Sequence, residues 1–143
     1  MTDLRAYLNQ IKKLNELSVV KKKVSTKYEI AAITAKIDGG NAILFENIKE
    51  SKFRLVANLV GTRARFAKAV NAKESNIHQK IIYAIKGSKK PKVVSNPKFM
   101  ENRSKDLSIL PIVRHFEKEP GSFITSSIIY TQNQETRTQI LSF

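Results

Sequence analysis

A chain of 143 residues that is 41% hydrophobic and holds only 5 Gly and 4 Pro can bury a core and is no disordered polymer. It has no cysteine, which excludes disulfides, thiolate nucleophiles and cysteine metal sites. Its apolar runs fall far short of the ~20 residues of a membrane helix, and 26 Lys and Arg against 12 Asp and Glu leave a net charge of +14. Along the chain, Thr2 or Asp3 caps a helix whose apolar residues Leu4, Tyr7, Leu8, Ile11 and Leu14 keep helical spacing. "LSVVKKKV" then turns β-like around Val19, Val20 and Val24. Thr26 and Glu29 form a capping box for a helix through "YEIAAITAKI", stopped by the turn "DGG". "NAILFENI" is a short buried strand, and "FRLVANLV" is a second one, ended by Gly61. Thr62 caps "RARFAKAV", and Ser75 caps "NIHQKIIYAIK". Residues 87–98, "GSKKPKVVSNPK", read as an exposed connector. "DLSILPIV" is an apolar turn stopped by Pro111, and residues 121–143 form a β-hairpin.

This order predicts one α+β domain over residues 1–143, with Val56, Leu59, Phe66, Ile81, Ile85, Ile124 and Ile128 in its core. The opening "MTDLRAYLNQ" lacks the basic-then-apolar pattern of a secretory signal, so a cytoplasmic protein is expected.

Self-contained catalytic chemistry is missing. His78 and His115 stand 37 positions apart, with no carboxylate at a metal-ligand spacing, so each reads as structural or merely exposed. The serines of "SFITSSII" alternate with apolar residues on a strand, outside any nucleophile elbow. Glu117 and Glu119, beside Lys118, read as a solvated face. No catalytic residue and no metal ligand is expected.

Several stretches together resemble the N-terminal part of the UbiD-type decarboxylases, enzymes that use a prenylated flavin. They are "LRAYLNQIKKLNELSVV", "EIAAITAKIDGGNAILFENIKESKFRLVANLVGTRARFAKAV" and "DLSILPIVRHFEKEPGSFITSSIIYTQNQET". The most specific are residues 42–49 with 55–65, and then 110–126, and the likeness is nearest to archaeal members. It implies helical N-terminal segments followed by part of a split β-barrel that ends in a hairpin. It also implies that the family's catalytic residues lie beyond residue 143. In an ungapped comparison, Ile140 falls on an asparagine that helps hold the metal gripping the flavin phosphate, and an isoleucine has no oxygen for it. Ser142 falls on the next matching position, with Phe143 beside it; a one-residue gap puts Gln139 on the asparagine position instead.

Two functions follow. The first is a non-catalytic pseudoenzyme that binds RNA, in preference to DNA, with the ribosome as a candidate partner and no cofactor. Its support is charge placement: residues 61–98 hold Arg63, Arg65, Lys68, Lys73, Lys80, Lys86, Lys89, Lys90, Lys92 and Lys98 against the single acid Glu74. Arg63 and Arg65 open a helix, where main-chain N–H groups favour phosphate. The alternative is the small subunit or N-terminal fragment of a split decarboxylase. In that reading a UbiD-like large subunit completes the chain, and prenylated FMN with a divalent metal binds only in the pair, touching Ser142 and Phe143 on this side. The RNA reading is the expectation taken forward.

Overall fold

A computed structural model describes residues 3–87, 94–95, 97, 101–124 and 127–142. Helix α1 (Leu4–Lys13) starts where Asp3 Oδ1 accepts from the Ala6 N–H at 2.7 Å, satisfying an otherwise orphaned donor. Its buried Tyr7 and Ile11, four residues apart, share one face. Strand β1 (Leu17–Val20), helix α2 (Glu29–Lys36) and strand β2 (Ala42–Phe45) form a βαβ unit, with β1 parallel to β2. Strand β3 (Leu55–Ala57) pairs antiparallel with β2 and completes a three-stranded sheet of order β1-β2-β3.

The alternation of β2 divides the core. Ile43 and Phe45 point to one face and pack with Ile30 of α2, Val24 and Ile48. Ala42 points to the other face and meets Tyr7 and Ile11 of α1. The two helices therefore cover opposite faces of the sheet. Helix α3 (Arg63–Ala69) begins as expected, with Thr62 Oγ1 accepting from the Arg65 N–H at 3.2 Å. A 3₁₀ turn (Glu74–Asn76) leads to helix α4 (Ile77–Lys86), and a second 3₁₀ turn spans Leu107–Ile109. The chain ends in the antiparallel hairpin of β4 (Ile129–Gln132) and β5 (Gln139–Ser142). The fold is α+β, as the sequence predicts.

Three local expectations fail. The capping box at Thr26 is replaced by a wider staple. Glu29 accepts from the Ser25 N–H, Glu50 accepts from the Ser25 hydroxyl and the Thr26 N–H, and Tyr28, at φ 69°, precedes the helix with no side-chain cap. Helix α4 starts after Asn76 without a side-chain cap, so Ser75 does not cap it. The core lies in the first half of the chain: Phe66, Ile81, Ile85, Ile124 and Ile128 are exposed, Ile85 by 72% and Ile128 by 78%. Val56 and Leu59 are half-buried. Apolar periodicity marks surfaces that need cover, and among the described residues α4 buries Ile77 alone while β4 stays exposed.

Candidate functional site

Helix α3 does not display its basic residues as a row of free cations. Arg65, expected to meet phosphate, is 3% exposed. Its Nη2 donates to the Asn58 carbonyl at 3.2 Å, and the Tyr7 hydroxyl donates to its own carbonyl at 2.8 Å. Arg65 and Ala67 are the buried residues of α3, while Phe66 between them is exposed. Asn58, at φ 54°, turns its amide back onto the carbonyls of Ile37, Gly40 and Asn41 at 3.4, 3.5 and 3.2 Å. Gly61 sits so close that a Cβ there would lie 1.6 Å from Asn58 Oδ1. Gly61, Asn58, Arg65 and Tyr7 thus make one junction between α1, the end of β3 and α3.

Lys68 forms an ion pair with Glu16 across the two layers. Arg63 is exposed and donates to the Glu74 carbonyl at 3.3 Å, while Lys73, Lys80 and Lys86 are exposed. Lys89, Lys90, Lys92, Lys98 and Phe143 lie outside the described residues, and Ser142 is described only as the last residue of β5. The structure therefore buries Arg65, pairs Lys68 with a carboxylate and leaves Arg63, Lys73, Lys80 and Lys86 exposed on α3, α4 and the connection between them.

The concave feature lies elsewhere. An open groove of about 1190 Å³ runs between α2, the stretch from Arg54 to Gly61 and residues 110–116, with Phe123 and Ile124 at its end. Its third wall is pinned to the body by main-chain bonds: the Arg114 N–H donates to the Thr26 carbonyl at 3.0 Å and the Tyr28 N–H to the Arg114 carbonyl at 3.1 Å. The Arg114 guanidinium donates to the carbonyls of Glu117 and Glu119 and lies over the Tyr28 ring. His115 rests against Phe123, with ring centroids 5.9 Å apart. The main-chain N–H of His115 donates to Glu119 Oε2 at 2.8 Å, so Glu119 belongs to this wall and is not the solvated residue expected. Spacing alone did not reveal this cluster. The signal available was Pro111, which ends the preceding turn and directs the chain back across α2.

A flavin-phosphate metal needs several oxygen or imidazole ligands converging on one point. Among the described residues no three His, Cys, Asp or Glu side chains do so. Ile140 stands in β5 opposite Thr131 and offers carbon only. These residues alone do not fit that group.

The profile of the 3-octaprenyl-4-hydroxybenzoate carboxy-lyase N-terminal domain matches residues 8–85, and that of the Rift-related domain of the same enzymes matches residues 86–143. The chain belongs to the UbiD family. Anhydromevalonate phosphate decarboxylase of Methanothermobacter thermautotrophicus is 29% identical over 133 residues, covering 93% of this chain and 31% of that protein. A 4-hydroxybenzoate decarboxylase subunit of Chlamydia pneumoniae is 25% identical over 156 residues, 93% of this chain and 26% of that protein. An evolved dimeric form of the UbiD-class enzyme HmfF from Pelotomaculum thermopropionicum, solved with prFMN, superposes with a TM-score of 0.87 at 26% identity. The match covers 99% of this chain and 35% of that one. This UbiD chain thus spans about a third or less of the length of the relatives it matches.

These findings correct the sequence reading. The relatives of this UbiD chain that carry a named activity are decarboxylases and a decarboxylase subunit, which overturns the RNA-binding, ribosome-associated pseudoenzyme. A family member solved with prFMN likewise overturns the expectation of no cofactor. The split-enzyme alternative is the reading these findings favour. Among the described residues no helix is long and apolar enough to cross a membrane.

Proposed function

We propose that this chain forms the N-terminal part of a UbiD-type decarboxylase and works together with the rest of that fold, its companion. One observation carries the reading. Nearly the whole chain superposes on a third of a UbiD-class enzyme, while among the described residues its groove stays open and Ile81, Ile82 and Ile85 of α4 and Ile129 and Ile140 of the hairpin stay exposed. Exposed apolar surface on this scale marks an interaction site more often than an ordinary monomer face. Prenylated FMN, in this reading, supplies the decarboxylation chemistry and binds in the completed enzyme. The ligands for its phosphate-bound metal come from the companion, because Ile140 contributes none. What this chain contributes is a rigid body: the junction at Arg65 fixes α3 against the sheet, and the pinned segment 110–116 fixes the approach to the hairpin. A cytoplasmic setting belongs to the same reading, since a chain without cysteine needs no oxidising compartment.

The test uses a defined companion, the part of the M. thermautotrophicus decarboxylase that lies beyond the matched third, expressed as a separate chain. Sedimentation of the mixture is expected to show a complex of the two polypeptides. Two independent species at micromolar concentrations contradict the proposal.

A further inference from the structure

We infer that the outer edge of β3 is a strand-addition site, taking an extended apolar segment of the companion polypeptide; this deepens the function proposed above and rests on it. Successive side chains of a strand point to opposite faces of the sheet. A groove over one face therefore touches every second residue. Here every residue from Arg54 to Gly61 lines the same groove. The groove runs along the edge of the sheet, not over its face.

That edge is available. The inner side of β3 is taken by β2. Among the described residues no hydrogen bond reaches the outer main-chain groups of Leu55, Val56 and Ala57. Natural edges are commonly guarded by lysine, proline or a bulge, and these three residues carry no such guard. Across the groove, Ala31, Ala32 and Ala35 of α2 present small side chains and leave room for large ones. An added strand would gain a main-chain ladder on one side and an apolar bed on the other, the logic of β-augmentation.

The occupant follows from the setting. The chain superposes over 99% of its length on a UbiD-class chain of which it covers 35%, so most of that fold lies outside these residues and can supply the segment. A second copy of this chain fits poorly, because β3 offers only three residues for pairing and both copies carry +14. The segment expected is one with large apolar residues at alternate positions and few basic ones, since this chain already carries +14.

The experiment titrates the full chain with the companion named above and compares wild type, Val56→Lys in the groove and Val19→Lys on β1. Val56→Lys is expected to weaken association at least tenfold, and Val19→Lys less than twofold. A second measurement needs no variant: hydrogen exchange of those Leu55–Ala57 amides that do not pair with β2 is expected to slow at least tenfold on assembly. Assembly with unchanged exchange there, and with Val56→Lys binding as wild type does, overturns the edge assignment and leaves the functional reading standing. No assembly by wild type overturns both. A homodimer of this chain that Val56→Lys disperses assigns the edge to a second copy and overturns the companion.

Discussion

Arg65 shows how the surroundings decide what a residue can do. A guanidinium opening a helix reads as a phosphate ligand until its neighbours are known. Here they are Asn58, Tyr7 and Gly61, and the cation is folded into the junction. Gly61→Ala is expected to destabilise the protein by about 1–3 kcal/mol, because the new methyl group must displace the Asn58 side chain from its three carbonyls. Asn58→Gly removes that obstacle and suits the positive φ, so Gly61→Ala should cost clearly less in its background. Urea unfolding of the four proteins in the cycle checks this; additive effects would contradict the contact. Tyr7→Phe removes the side-chain donor to the Arg65 carbonyl and is expected to cost about 0.5–1.5 kcal/mol at neutral pH. Burial pushes the Tyr7 phenol above its ordinary value, with the Arg65 charge opposing and the Glu16 charge adding to it. A raised folded value means stability that is full below about pH 10 and lost as pH rises through that value. The gap between wild type and Tyr7→Phe should therefore narrow above pH 10.

Single elements separate what the sequence made legible from what it hid. β2 was readable because "AILF" between turn signals is a buried strand wherever it lies, and Ile43 and Phe45 are fully buried. The starts of α1 and α3 were readable because a cap is local chemistry between neighbours three residues apart. The apolar residues of α4 and the hairpin were placed in a core that they do not join, since periodicity reports that a face needs cover and not which polypeptide covers it. Phe45→Ala is thus expected to cost about 3–5 kcal/mol, and Ile128→Ala about 0.5 kcal/mol or less in the isolated chain. Thermal unfolding of both variants tests where the core ends. The staple at Ser25 was hidden because Glu50 joins from 25 residues away. Burial acts to raise the Glu50 carboxyl, but hydrogen bonds from Ser25 and Thr26 outweigh it and hold the group below its ordinary value. The Lys49 ammonium, and then the Ser25 N–H, lower Glu29 in the same way. Lowered folded values contribute stability above about pH 4.5 that is lost as pH falls. Glu50→Gln should accordingly flatten the decline in melting temperature between pH 6 and 3, and an unchanged decline would remove Glu50 from the account.

At the scale of the molecule, the buried half and the uncovered half tell one story. Residues 3–70 hold two small cores on either side of a sheet. The groove, α4 and the hairpin bring apolar residues to the surface without closing over them. The candidate site was partly legible: the family was written in residues 42–49, 55–65 and 110–126, whereas the groove depends on residues 110–116 returning across α2, which no local pattern encodes. The charge was legible too but misleading, because +14 states a preference for anionic surroundings without saying whether a nucleic acid or an acidic subunit provides them. The most direct measurement takes this chain and the companion polypeptide, separately and together, with prenylated FMN and a divalent metal. Flavin retained through gel filtration is read in each case. The account predicts retention by the pair and by neither polypeptide alone. A pair that assembles yet holds no flavin would contradict it.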